Sequence, residues 1–387
     1  MPESPHAPDP PSPSPDPQSP SPAPPTGPDR NATPDCPDRD LGVLRERLLD
    51  FFDARGRALP WRETDDPYAI WVSEIMLQQT RVETAVPYWT AWMAAFPTVE
   101  ALAAAEDQTV LKSWEGLGYY SRARNLHRAA RVVRERWNGR VPGTRDDLRT
   151  LPGVGPYTAG AVASIAFGET VPAVDGNVRR VAARLLDWPD PRGAALETEV
   201  GRWVPEGRPG DFNQALMELG ATVCTPRRPR CDDCPVAGLC RARAEGTVGD
   251  RPVPRKRAAV PRVHHAVVVA IREVSGEFRV ALRRRPEGGL LAGLWEFPAV
   301  EVEEPEGVAE ALVGVTGGAG APGERLPSVP HAFSHLHVTY HPMLIRLAPG
   351  RPAPGGAEWR PLEGMADLPL PTAQQTIAGH LTSALAG

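Results

Sequence analysis

The chain has 387 residues, 41% of them hydrophobic, and a formal net charge of −5 at pH 7, enough material for two or three folded domains. The negative total argues against bulk electrostatic attraction to nucleic acid, because counterion release rewards positive charge. No stretch approaches the ~20 apolar residues that span a bilayer, and the start carries neither a basic nor an apolar signal segment. A cytoplasmic protein with reduced thiols is therefore expected.

Residues 1–38 form a Pro, Ser and Asp tract without apolar periodicity, expected to be a disordered tail with Cys36 as a bystander inside it. From Leu41 to Leu239 apolar residues recur at three and four, as in Leu44, Leu48, Phe51 and Phe52, with Pro and Gly as punctuation. That pattern predicts an all-helical domain over residues 39–250. Residues 251–262 read as a basic, Pro-broken linker. Beyond it the runs His265–Arg272, Phe278–Arg283 and Val338–Leu347 alternate with Gly-rich turns, predicting a separate α+β domain over residues 263–383. Basic side chains collect in Arg122–Arg149 and Arg227–Arg262, acids in Glu301–Glu310. A local basic face binds phosphate whatever the total charge. Lys112 and Lys256 are the two lysines of the chain, which narrows the amine chemistry open to it.

Several segments carry residues suited to chemistry. Leu59-Pro-Trp-Arg62 leads into Pro67–Thr80, where Val72, Ile75 and Met76 make an apolar helix stripe. Glu74 lies about 100° or more around from that stripe, either a solvated glutamate or an acid facing a cleft. Trp114–Arg122 is a Gly- and Tyr-rich loop. Leu151–Ala159 places a proline, Gly153 and Gly155 before a helical run, a turn whose backbone N–H groups can bind phosphate without reading sequence. In Val174–Arg180 an aspartate, Asp175, stands directly before a helix, the position of an N-cap. Cys224, Cys231, Cys234 and Cys240 have six, two and five residues between them; four thiolates hold either zinc or a 4Fe-4S cube.

Taken in this order over roughly residues 40–380, these motifs resemble the adenine DNA glycosylase family of helix-hairpin-helix, iron-sulfur proteins. The resemblance implies a helix-hairpin-helix glycosylase domain with a 4Fe-4S cluster on Cys224, Cys231, Cys234 and Cys240, followed by an α+β Nudix-like domain. It makes Glu74 the catalytic acid that protonates N7 of adenine, with a pKa raised toward ~6 to 7 by burial. Asp175 stays ionised and stabilises the oxocarbenium-like sugar or bonds to it transiently, and the Glu74 carboxylate then activates water. Strand-cutting relatives carry a Schiff-base lysine two residues after the second hairpin glycine. Here that residue is Tyr157, which implies a monofunctional enzyme in which Tyr157 only hydrogen-bonds.

The target base must be flipped out of the duplex. By resemblance Gln79 and Tyr119 are the wedges, with Leu117 beside them and Thr80 near the opposing base. Gly153 and Gly155 meet the DNA backbone, the three arginines among Thr225–Arg230 add phosphate contacts, and Arg62 and Glu218 touch the flipped adenine. Gly289–Pro298 resembles the Nudix-like domain but lacks the Glu-rich magnesium helix of pyrophosphatases, implying binding without hydrolysis, and Phe333, Ser334 and His335 resemble the loop that contacts 8-oxoguanine. The implied partner is double-stranded DNA with adenine opposite 8-oxoguanine or guanine, met by a nucleoid-associated monomer. A thymine-mismatch or endonuclease III type glycosylase is the alternative among enzymes, and a non-catalytic iron-sulfur DNA binder the alternative outside them.

Overall fold

The computed structural model describes residues 34–254, 259–316 and 323–386. Most of the expected N-terminal tail lies outside the described residues, but its end does not behave as a tail. Cys36 is buried in a helical core, its N–H donates to Glu199 Oε1 at 2.6 Å, and burial pushes its thiol up to about 11. Sequence reading missed this because one small apolar residue between two prolines has no periodicity to detect.

The helical region comprises α1 (Asp38–Arg55), α2 (Pro67–Leu77), α3 (Val82–Ala95), α4 (Val99–Ala104), α5 (Asp107–Ser113), α6 (Ser121–Arg136), α7 (Arg145–Leu148), α8 (Pro156–Phe167), α9 (Gly176–Leu185), α10 (Gly193–Trp203), α11 (Pro209–Thr222) and α12 (Arg241–Ala244). It is built around two apolar cores. One gathers Trp71, Trp92, Trp114, Leu126 and Val162 from α2, α3, the loop after α5, α6 and α8. The other gathers Leu48, Val181, Trp203, Phe212 and Leu216 from α1, α9, α10 and α11.

Local chemistry sets where these helices start. Asp66 caps α2 by accepting from the Tyr68 N–H, with Pro67 in the first turn, where its missing N–H costs nothing. Between α7 and α8, Gly153 has φ +76° and a Cβ there would lie 2.5 Å from the Asn125 side chain, so the turn admits only glycine. The expected one-sided stripe on α2 is an understatement: Tyr68 through Met76 are all buried, so the helix has no solvated face.

The C-terminal region comprises β1 (Arg262–Val274), β2 (Glu277–Arg284), β3 (Trp295–Glu296), β4 (Ala299–Val302), α13 (Val308–Thr316), β5 (Glu324–Arg325), β6 (Val329–Ala332), β7 (His337–Arg346), β8 (Glu358–Pro361) and α14 (Thr372–Ala386). Its mixed sheet runs β3-β2-β1-β7-β5, with β4 paired to β1, β6 to β7 and β8 to β2. β1 and β7 are parallel, with Val268 opposite Met343, and the other ladders are antiparallel. Both sheet faces are covered: Val267, Val269 and Ile271 pack with Ile377 and Leu381 of α14, while Ala266, Val268 and Ala270 pack with Val308 and Leu312 of α13. That double burial explains the unbroken apolar run in β1.

The two regions meet along α5, α6 and the loop between them. Leu294 joins the helical core, which by area is worth roughly 1.5–3 kcal/mol. Gln108 accepts from Trp295 Nε1 at 2.8 Å and donates to Gly293 O at 3.1 Å. Arg124 donates to Ala292 O at 2.7 Å. Glu115 accepts from Lys112 at 2.6 Å and from the Leu370 N–H at 2.9 Å. Glu115→Ala is therefore expected to accelerate amide hydrogen exchange at Leu370 while leaving amides in the core of β1 and β7 protected. Unchanged exchange at Leu370 would show that this contact does not hold the two regions together.

Candidate active site

A cavity of about 890 Å³ opens between the two helical cores, lined by the end of α2 (Leu77–Gln79), the start of α8 (Pro156, Tyr157), and Asp175 with Asn177 and Arg180 at the start of α9. Arg145, Arg179 and Arg192 complete a basic rim. The expected pair of carboxylates meets here, but unequally. Asp175 lines the cavity, whereas Glu74 is not among the lining residues and is only 5% exposed. Tyr157 stands at the wall and donates its hydroxyl to Glu74 Oε2 at 2.5 Å.

Burial decides the electrostatics of this pair. Enclosure raises Glu74 to about 7, opposed by the Tyr157 hydrogen bond, reinforced by the negative charge of Asp175 and lowered by Arg62. Desolvation disfavours a carboxylate more than one donated hydrogen bond favours it. Asp175 is raised too, again first by burial, but it is better supplied with donors. As the N-cap of α9 its Oδ1 accepts from the Val178 N–H at 2.7 Å, and its Oδ2 accepts from Asn177 Nδ2 at 2.7 Å. The helix N-terminus adds favourable partial charge.

The other singled-out residues fall in distinct places. Gln79 is exposed at the end of α2 with φ +61°, Thr80 is half-buried beside it, and Tyr119 is 45% exposed with φ +47°. Leu117, two residues before Tyr119, is buried in the helical core. Gly155 has an ordinary φ of −88° and open space where a Cβ would stand. Glu218 has a fully enclosed side chain whose oxygens pair with Arg57 at 2.7 Å and Arg62 at 3.0 Å. Burial works against its charge, yet the two arginines hold it below the usual range. Its carboxylate is thus occupied by protein partners, and neither it nor Arg62 lines the cavity.

Sequence reading missed a polar relay behind Asp175. Asn177 Oδ1 accepts from Arg180 at 2.9 Å, and Arg180 also donates to Gly220 O and to Cys224 O, both at 2.8 Å. The Val174–Arg180 motif is thereby tied to the cysteine loop. The only signal in the sequence was the run of two arginines one turn after Asp175, which reads equally well as a solvated helix face.

Cys224, Cys231, Cys234 and Cys240 line one small cavity together with Arg184, and Arg184 donates to Cys224 Sγ at 3.3 Å. Among the described residues no three His, Cys, Asp or Glu side chains converge as a site for a single metal ion. Four thiols around one void, with burial and the nearby thiols raising Cys234 to about 11, suit a cationic multi-atom cluster that bonds the thiolate form. The residues present therefore fit an iron-sulfur cube.

In the second region the Phe333–His335 turn joins β6 to β7, closed by the Phe333 N–H on Leu336 O at 2.8 Å. Phe333 packs against the sheet core and leaves Ser334 and His335 exposed at the tip. The helix α13, VAEALVGVT, carries Glu310 as its one acidic residue.

Comparison with known proteins matches residues 72–206 to the HhH-GPD superfamily of base excision DNA repair proteins, residues 224–240 to the iron-sulfur binding domain of endonuclease III, and residues 267–380 to the NUDIX domain. Adenine DNA glycosylase of Homo sapiens is 38% identical over 87% of this chain and 74% of its own length. The Mycolicibacterium smegmatis adenine DNA glycosylase is 45% identical over 53% of this chain and 71% of its own. Among solved structures, a thermostable thymine-DNA glycosylase superposes with a TM-score of 0.51 and 32% identity, covering 55% of this chain and all of its own. That likeness covers 55% of this chain, whereas the human relative covers 87% of it at 38% identity; the chain belongs to the adenine DNA glycosylase family.

Proposed function

We propose that this base-excision enzyme releases adenine paired with 8-oxoguanine or guanine in duplex DNA, without cutting the strand, using Glu74 as acid and Asp175 as the charge partner of the sugar. The observation that carries the reading is the enclosed Glu74, raised to about 7 and hydrogen-bonded through Tyr157 to the wall of the cavity that Asp175 lines. Adenine is a poor leaving group as an anion, so the departing base needs a proton on a ring nitrogen. A carboxyl titrating near 7 holds that proton at neutral pH and still gives it up readily. Asp175 faces the positive charge that develops on the sugar. Once the base has left, the Glu74 carboxylate takes a proton from attacking water in this reading.

Two further features support the details. Tyr157 offers no amine for a Schiff base, and Lys112 is engaged with Glu115 and Leu368 O; Lys256 lies outside the described residues. For the opposite strand, the exposed Ser334 and His335 supply hydrogen-bonding groups on a rigid hairpin. An 8-oxoguanine in its syn form presents a 2-amino donor in the major groove, where ordinary guanine has none, and such a tip can test for it. The α13 sequence, with Glu310 alone, supports a binding rather than a hydrolytic role for the second region. Gly155, free of steric need for glycine in the protein itself, suits close approach of a DNA phosphate to the hairpin amides. The iron-sulfur cube, when bound, supplies covalent bracing of the Cys224–Cys240 loop.

The acid must carry its proton, so single-turnover adenine release is expected to fall as pH rises through about 7. Glu74→Gln is expected to bind lesion duplex but to lose release by roughly a hundredfold to ten-thousandfold, with the descending pH limb abolished. Near-normal release by that variant would remove Glu74 from the mechanism. For lesion reading, Ser334→Ala combined with His335→Ala should lower the ratio of release from adenine opposite 8-oxoguanine to that from adenine opposite guanine by roughly 5- to 150-fold, the range of one hydrogen-bonding discrimination. Equal decline on both duplexes at one salt concentration contradicts that role.

A further inference from the structure

Arg122 occupies a position that its sequence context, a basic stretch suited to phosphate, does not suggest. It is 7% exposed, and its guanidinium points inward between two loops. Nη1 shares its two N–H groups among acceptors at Ile75 O (3.1 Å), Met76 O (2.8 Å), Gln78 O (2.5 Å) and Thr80 Oγ1 (3.2 Å). Nη2 donates to Leu117 O at 3.0 Å and Gly118 O at 3.1 Å. The plane lies 5.1 Å from the Trp114 ring centre and 5.7 Å from that of Tyr119. Burial lowers the group to about 10, which leaves it cationic at neutral pH.

These acceptors are not incidental. Ile75 and Met76 belong to the last turn of α2, whose carbonyls have no partner within the helix and carry the negative end of its dipole. Leu117 and Gly118 precede Tyr119. Gln79 and Tyr119 both hold left-handed backbone, φ +61° and +47°, a conformation that is unfavourable for a residue with a Cβ. Strain of that kind persists only where the surroundings impose it. One planar fork bonded to the backbone on both sides imposes it on the two loops together, because neither can relax without giving up charged hydrogen bonds.

We infer that Arg122 is the positioning residue that locks the Gln79–Thr80 and Leu117–Tyr119 loops into a single rigid wedge for unstacking the target base. The inference rests on reading Gln79 and Tyr119 as the wedges. Arg122 itself is enclosed behind these loops, so its role is to position them. A wedge acts by lowering the cost of unstacking, so its loss matters most where the base is well stacked and least where stacking is already weak.

The test is single-turnover adenine release from two duplexes. One has fully paired flanks; in the other the pairs flanking the target adenine are mismatched. Arg122→Met is expected to lose roughly tenfold to a hundredfold on the paired duplex, the value of hydrogen bonds to a charged group, and to recover most of that loss on the loosened one. Arg122→Lys keeps the charge but reaches one loop only, and should fall between. Should Arg122→Met fold poorly, Thr80→Val removes one acceptor at the edge of the network, with a smaller loss in the same pattern that Thr80→Ser restores. Equal losses on both duplexes, or no rescue by Thr80→Ser, would overturn the role of Arg122. Tyr119→Ala separates the two ideas. If it loses nothing on either duplex, the wedge reading itself fails; if it shows the duplex-dependent loss while the Arg122 and Thr80 variants do not, only the present inference fails.

Discussion

A carboxyl group enclosed in protein, with one hydroxyl donor and a second carboxylate nearby, is the constraint from which the rest of this molecule follows. Glu74 sits on a helix buried along Tyr68–Met76, so no rotation of that helix would expose it to water. Desolvation then raises its proton affinity into the neutral range. The surrounding groups avoid cancelling this. Arg62, whose charge works against the rise, is itself bonded to Glu218 and Gln214, and Tyr157 contributes one hydrogen bond where a charged partner would ionise the acid outright. Structurally the arrangement is unfavourable, since an acid of this kind is destabilising whenever it is charged. It persists because two packed cores enclose it.

The difference in environment between the two carboxylates comes from their positions on helices. Glu74 lies in the middle of α2, where backbone N–H groups are already used. Asp175 caps α9, where free N–H groups and the helix dipole favour its ionised form. Behind Asp175 the hydrogen bonds run through Asn177 and Arg180 to the carbonyl of Cys224. The cysteine loop therefore braces the capping end of α9 as well as a basic surface, and Arg184, on the same helix, bonds to Thr225 O and Cys224 Sγ. The cysteine loop is thus joined to the Asp175 end of α9 through arginine side chains that bond to its carbonyls.

Much of this was legible in the sequence, for identifiable reasons. The two-domain division followed from a change of period between residues 250 and 263, and β1 announced itself by an apolar run too short for a membrane. The four cysteines and Gly153 carry spacing and backbone demands that no side-chain packing can imitate. What sequence could not show were the inward-facing charges. Arg122 fell in a stretch read as a basic face, and neither Arg180 nor Arg184 was singled out; their enclosure depends on carbonyls supplied from other segments of the chain. Cys36 was misjudged for the same reason, its surroundings being tertiary. Glu218 was read as a contact to the base, and its two arginine partners come from a segment some 156 to 161 residues earlier. The docking of the sheet domain on α5 and α6 likewise rests on Leu294 and a few single hydrogen bonds that have no sequence signature.

The central claim is that enclosure, and not a special partner, gives Glu74 its proton at neutral pH. It is tested most directly by titrating that carboxyl in the DNA-free protein, using infrared difference spectra of wild type against Glu74→Gln to isolate its C=O stretch. The account predicts a protonated carboxyl that disappears around pH 7 and is missing from the variant. A Glu74 signal already lost near the ordinary glutamate value of 4.5 would contradict it.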